Sequence, residues 1–562
     1  MGVKLPKGSA GFQFPTLFSA TMDEFDVERL LPTLFYLAVT KGRQRGKVAN
    51  DATAMKAYLD ALCANEALVG FDDEAARELL DKWLRTSIIH MGGIGRSRWG
   101  KQIQYLVPLT LMVYKSGLPT VLSRQRNVHT FLYEVLMTTL RAAQASNPEQ
   151  LVLDLFKDAF GDGVETLPSH DFDARYDETT EVDLQALLSM RYLEGFEPTP
   201  PAPSGKRADR PSTGPALPAT ARHLGEDMLQ YMSVSRGSST EARVQGLMAL
   251  INFELLVYTL RLAYATNALV REGTLPDAMV DGHDFAEPEI YVDFAGERGS
   301  ASDNLARACV ERHMEEIAAL FDSAILLRTV HTFTEFLPAI RNGVKGRPDT
   351  TPAYLQHLID CRNAPEVEAS ARLELRNIAK ANEDEENDAP IDVSQFLEES
   401  GVELTGPALD ACVRVLADAQ RSIGVTNYMK WYRAVGGVGK PFGLLSGNER
   451  GRRNWRYAMG DDLLACLVQL AMSTDSDSPT SNAARPLRRL RLAELLQWLE
   501  HRFGVLIDRP PHHPDDTESR AAAKANLEAF KRRLRQMGFF EALSDDFNAQ
   551  YLTNRFTNGD AT

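Results

Sequence analysis

The sequence predicts a mainly α, multidomain protein with short β-hairpins and winged-helix-like units towards its C-terminal end. Three observations carry this. Apolar residues recur at helical spacing along most of the chain. Stretches rich in Pro, Gly and Ser or in acids interrupt that spacing. The few strand-like runs are short and bounded by Gly and Asn. The chain of 562 residues allows three or four domains at about 100–200 residues each. Its 44% hydrophobic and 25% charged content suits a globular protein able to bury a sizeable core.

Residues 1–195 read as an N-terminal helical domain. Thr21 to Glu24 resembles a capping box, and Val27, Leu30, Leu31, Leu34, Phe35 and Leu37 follow on one helical face. Lys41 to Lys47 is a basic turn suited to a helix C-terminus. Residues 51–65 and 73–89 continue as amphipathic helices. No acidic residue lies between Lys82 and Arg126. Arg96, Arg98, Lys101, Arg124 and Arg126 in and after this window form a candidate polyanion-facing surface. Residues 196–223, rich in Pro, Gly and Ser, are expected to be a disordered linker. A central helical domain spans 224–380, with helices at 239–268, 304–330 and 331–340 and a short strand at 289–294. Residues 381–400 form an acidic linker around the run 383–388.

Residues 401–473 read as a helical unit carrying a basic β-hairpin. Phe442 to Leu445 and Trp455 to Ala458 are the expected strands, with Gly447, Asn448 and Gly451 supplying turn chemistry. Arg450, Arg452, Arg453 and Arg456 crowd this hairpin among Trp431, Tyr432, Phe442, Trp455 and Tyr457. Guanidinium groups pair with phosphate oxygens and flat rings stack on bases. The bland alternative is a solvated hairpin whose aromatics close a small core. A third linker covers 475–482. Residues 485–556 have winged-helix order: a helix at 492–503, a strand and turn at 504–511, a basic helix at 521–537, and wing strands at 539–543 and 548–556. Lys531, Arg532, Arg533 and Arg535 mark the basic helix as a second nucleic-acid candidate. An ordinary surface helix would look the same.

Catalytic patterns fail on spacing. Gly95 to Lys101 matches Gly-x4-Gly-Lys, but Gln102 stands where magnesium binding needs Ser or Thr. Val438-Gly439-Lys440 lacks the first glycine, with Ala434 in its place, and Pro441 follows the lysine. Asp281, His283 and Asp284, with Glu289 and Asp293, are the one compact His/carboxylate group within a domain, yet no Glu-x-Lys pair follows. His512 and His513 lack the i, i+4 spacing that converges on one ion. No catalytic residue, metal ligand or cofactor is therefore expected.

The net charge of −15 supplies no global attraction for nucleic acid, so any contact must be local. Cys63, Cys309, Cys361, Cys412 and Cys466 are scattered, which fits a reducing cytoplasm and excludes a disulfide scaffold. Residues 1–15 lack a signal-peptide pattern. The longest apolar run, Gly246 to Tyr264, is broken by Asn252, Glu254 and Arg261 and reads as a core helix, so no membrane contact is expected.

Three stretches carry a resemblance: residues 452–464, residues 492–511 and residues 526–552. Together they resemble the end of large accessory proteins encoded in bacterial phage-defence cassettes. The resemblance covers less than half the chain and brings no catalytic motif. It implies work beside a separate ATPase, nuclease or methyltransferase. The expected function is a non-catalytic scaffold subunit of a cytoplasmic bacterial assembly that contacts double-stranded DNA. The alternatives are a pure protein-interaction scaffold, whose basic patches dock an acidic partner or the run 383–388, and a divergent metal-dependent nuclease or NTPase using Asp281, His283, Asp284 and Asp293, or Lys101.

Overall fold

The structure is a computed structural model. It describes residues 3–44, 59–60, 63–64, 66, 69–87, 89–91, 103–106, 109–116, 125–166, 173–194, 213–235, 238–280, 288–335, 348–382, 393–401, 406–448, 451–473, 489–512, 516–539 and 550–553. Among these, fifteen α-helices and five two-stranded ladders occur, a mainly α architecture.

The first helices are α1 (Leu31–Val39), α2 (Glu74–Ser87), α3 (Val128–Ala142), α4 (Pro148–Phe160) and α5 (Leu184–Glu194). Two hairpins lie among them, β1 (Ile89–Met91) with β2 (Ile103–Leu106), and β3 (Val164–Thr166) with β4 (Ala174–Tyr176). Thr21 does not open a helix. Its N–H donates to Arg126 O at 2.7 Å, and helical structure starts with a 3-10 turn at Val27–Arg29. A contact 105 positions along the chain outweighs a four-residue capping pattern.

Next come α6 (Pro218–Val234), α7 (Thr240–Glu272), the short strand β5 (Ile290–Tyr291) and α8 (Ala301–Glu335). Pro218 starts α6 at a position where its missing N–H costs nothing. Residues 218–223, expected within the linker, are thus helical. Ser239 caps α7, accepting from Ala242 N at 3.3 Å, and Gly273 ends it in the left-handed region at φ 76°. α7 is long and apolar enough to cross a membrane, but its most apolar window is entirely buried by neighbouring helices. α8 runs unbroken where two helices were expected, and residues 336–340 lie outside the described residues.

The remaining helices are α9 (Thr351–Asp360), α10 (Pro365–Ala381), α11 (Val393–Glu399), α12 (Ala408–Val435), α13 (Asp461–Ala471), α14 (Leu492–Phe503) and α15 (Thr517–Gln536). α11 falls within the expected acidic linker because Phe396 and Leu397 are buried; the run 383–388 lies outside the described residues. β6 (Leu445–Asn448) and β7 (Gly451–Tyr457) form the basic hairpin, with Leu445 opposite Tyr457 and Asn448 opposite Gly451. β8 (Leu490–Arg491), β9 (Val505–Leu506) and β10 (Tyr551–Leu552) complete the strands.

The expected wing is not confirmed among the described strands. β10 pairs antiparallel with β8, ahead of α14. β9 pairs parallel with β5, so that Ile290 lies opposite Val505. Most of the other proposed wing strand, 540–543, lies outside the described residues.

Buried side chains from Phe14 to Leu552 form one contiguous hydrophobic cluster. α7 and α8 pack side by side at its centre. α12 lies against both, α6 and α13 cover α7, and the hairpin rests on α8. The polar interruptions of α7 serve a buried charge cluster. Arg502 of α14 grips Asp227 of α6 through two bonds of 2.7 and 2.8 Å, and Arg261 donates to Arg502 O at 2.8 Å. Burial, with Asp227 beside it, pushes the Glu254 carboxyl far above its ordinary range.

Residues 3–22 run as an arm across this core. Lys4 and Asn382 exchange backbone–side-chain bonds of 2.8 and 2.9 Å. Phe12 meets Phe321 and Tyr428, Phe14 meets His331, and Phe18 stacks on Tyr258.

Candidate functional site

The glycine-rich stretch leading into the hairpin builds its base. Gly437 adopts φ +69°, and a Cβ on Gly443 would lie 2.2 Å from Gly437 O. Two backbone segments therefore touch where no larger residue fits. The amides here are already used: Lys440 N donates to Gly437 O, Gly443 N to Lys440 O, and Leu444 N and Leu445 N both to Gly436 O. A loop with its N–H groups turned inward cannot cradle phosphate. Lys440 itself reaches Glu28 at 2.5 Å.

The hairpin's aromatics face the core. Trp431, Tyr432, Phe442, Trp455 and Tyr457 are all buried. Trp431 Nε1 donates to Thr259 Oγ1 at 2.9 Å, and Trp455 Nε1 to Asn448 O at 2.9 Å. Tyr432 and Tyr457 share a hydroxyl–hydroxyl bond of 2.6 Å, and Tyr457 meets His313 Nδ1 at 2.6 Å. Burial, then the neighbouring Arg312, lowers the His313 pKa to about 3, so this imidazole is neutral. This chain of two bonds through three side chains pins β7 to α8 and α12.

Beside this floor, two buried carboxylates organise the arginines. Asp303 Oδ1 accepts from Arg456 at 2.7 Å and its Oδ2 from Arg307 Nε at 2.8 Å and Gly299 N at 2.9 Å. Burial alone would raise the Asp303 carboxyl. Arg456, the Gly299 N–H and Arg307 outweigh it and hold the pKa below its ordinary value. Asp293 accepts from Ser302 Oγ at 2.7 Å and from the N–H groups of Ala295 and Gly296, and Arg456 stands 3.7 Å away.

What remains outward is a guanidinium-lined edge. Arg452 and Arg453 are exposed on β7, and Arg298 is exposed on the loop before α8. Arg298 donates to Asn454 Oδ1 at 3.2 Å, and Arg307 reaches Arg453 O at 3.5 Å. None of Arg298, Arg452 and Arg453 has a carboxylate within salt-bridge distance among the described residues. Arg298 and Arg307 escaped sequence reasoning because their pairing with the hairpin is tertiary. Their one local signal was the Gly296–Gly299 turn beside a strand.

The basic helix flanks the same segment. Asn526 of α15 accepts from Phe294 N at 2.7 Å and donates to Val292 O at 2.8 Å and Ile507 O at 3.0 Å. Phe530 packs on Phe294. Arg532 and Arg535 are exposed. Lys531 is buried and pairs with Glu528 at 2.8 Å, and Arg533 grips Asp461 through bonds of 2.5 and 2.7 Å.

The other expected site residues are only partly described. Arg96, Arg98, Lys101, Arg124 and Arg450 lie outside the described residues, as do Asp281, His283, Asp284 and His513. Arg126 pairs with Asp23 at 2.6 Å and donates to Glu24 O. Arg456 is likewise spent inside the protein. Glu289 meets His512 Nδ1 at 2.5 Å. Among the described residues no three His, Cys, Asp or Glu side chains are gathered as metal ligands would be.

Fold and surface together define a large, mainly α-helical protein with a preorganised arginine edge. The family model for the methylation-associated defense system protein MAD7 matches residues 7–556. The chain belongs to that family and is a defence-system protein, in keeping with the resemblance at its C-terminal end. No curated protein and no solved structure matches it.

Proposed function

We propose that this chain is a non-catalytic scaffold subunit of its defence system that holds double-stranded DNA by the phosphate backbone. It works in a cytoplasmic assembly whose other subunits, such as an ATPase, nuclease or methyltransferase, supply the chemistry. One observation carries the reading. Arg307 and Arg298 reach Arg453 and Asn454 of β7, 146 and 156 residues away in sequence, and so join one arginine edge on a protein of net charge −15. Such local clustering against an acidic background is what polyanion contact requires. Duplex is favoured over single strand because every ring in the hairpin window is buried, leaving no stacking platform. Exposed Lys524, Arg532 and Arg535 on α15 extend the positive surface.

The test is binding of a 30-base-pair duplex across a salt series. Four phosphate contacts correspond to a log–log slope of roughly −3.6. The double reversal Arg452→Glu/Arg453→Glu should abolish most binding. A flat salt response, or full binding by that variant, would overturn the reading.

One observation favours a protein-interaction scaffold instead. The acidic segment 23–28 already docks on this chain's own cations: Asp23 on Arg126, Glu24 on Arg433 and Glu28 on Lys440. An acidic peptide therefore suits these surfaces chemically. Partners that co-purify after thorough nuclease treatment would favour this second reading.

A further inference from the structure

We infer that Asp303 is a positioning residue that sets the arginine edge, an inference resting on the DNA-contact reading above. Asp303 contacts no phosphate, since its side chain is fully buried. Its oxygens nonetheless govern three parts of the edge. One holds Arg456 of β7. The other holds Arg307 of α8 and the Gly299 N–H, which closes the loop carrying Arg298. Arg307 then touches Arg453 O, and Arg298 touches Asn454. Both edge segments are thus registered against a single carboxylate.

Asp293 and Asp303 offset Arg307 and Arg456, so this buried knot is close to neutral. It adds little to the field that attracts a polyanion. It fixes where Arg298, Arg307 and the Arg452–Arg453 pair stand relative to one another. A rigid set of donors loses less freedom on meeting phosphates than a floppy one.

Asp303→Asn separates position from charge by the sign of its effect. It removes one negative charge, so attraction by charge alone predicts duplex binding as tight as wild type or tighter. A positioning role predicts a loss of about tenfold or more, with a salt slope within about one unit of wild type because the exposed arginines remain. Circular dichroism and melting establish that the variant is folded. Equal or tighter binding by folded Asp303→Asn would overturn the inference.

If Asp303→Asn does not fold, Arg456→Lys decides. It keeps the net charge but lacks the guanidinium fork. Weaker binding at an unchanged slope supports positioning, and unchanged affinity overturns it. A wild-type chain that fails to bind duplex overturns the DNA reading and this inference with it. Wild-type binding with an indifferent Asp303→Asn overturns the inference alone.

Discussion

His313 shows how much one side chain takes from its surroundings. It has no exposed surface, its Nδ1 meets Tyr457, and its pKa falls to about 3. His223 falls to about 4, through burial first and then Arg502. A histidine with a lowered folded pKa is protonated more readily in the unfolded chain. The stability it confers is complete above the unfolded pKa of about 6.5 and is lost as pH falls towards the folded value. For His313 the loss at pH 5 is about 2 kcal/mol. Asp26, pushed up to about 7 by burial and by Glu28, acts in the opposite sense. The measure is therefore a difference between chains. The drop in urea midpoint from pH 8 to pH 5 should be smaller in His313→Gln than in wild type, and an identical drop would refute the assignment. At this scale the sequence was only half legible. It marked Arg452, Arg453, Tyr432 and Tyr457 as a cluster. The pleat of β7 sets Arg452 and Arg456 on the face opposite Trp455 and Tyr457, whereas Arg453 shares the alternation of the two rings and is exposed nonetheless. The pairing of Arg456 was illegible, because the carboxylate that it meets, Asp303, sits 153 residues away.

Elements were read best where a local signal and tertiary packing agree. The hairpin appears within a few residues of its expected place because its Asn448 and Gly451 turn chemistry is local. α14 matches its expected bounds of Leu492–Phe503, with Glu494 reaching back to the Arg491 N–H at 3.0 Å and Gly504 at φ +74°. The wing is not confirmed: two-residue strands carry almost no sequence signal, and their partners are chosen by the surrounding fold. α12 offers a prediction at this level. At Gly424 it approaches α8 so closely that a Cβ would lie 2.1 Å from Phe321 Cε2. Phe321 is itself wedged between Phe12 and Tyr428, so it has little room to yield. Gly424→Ala should cost about 1–3 kcal/mol through overpacking, despite the better helix propensity of alanine. Chemical denaturation would register this as a lower midpoint at unchanged slope. A stabilised variant would contradict the close approach.

Composition suggested several units separated by linkers, whereas the described residues share one continuous core. A chain divided by linker-like stretches and a chain with one core are not in conflict. A Pro-rich stretch reports only that it lacks the apolar surface to build a core of its own. What the segments on either side bury is written in no local pattern. Calorimetry tests this scale directly. A shared core predicts that α6, α8 and α12 unfold in one transition, and well-separated melting steps for the parts before and after residue 212 would contradict it. Deleting residues 3–20 should lower that transition, since Phe14, Leu17 and Phe18 are all buried and each contributes on the order of 1.5–3 kcal/mol. The same arm sets a clock on synthesis. Phe12 waits for Tyr428, 416 residues later, which at roughly 5–20 residues per second takes about 20–80 s of translation. Through that interval the phenylalanines of the arm have no finished groove to enter. The nascent chain must be kept from sticking, by the ribosome's surroundings or by chaperones, until its last quarter emerges.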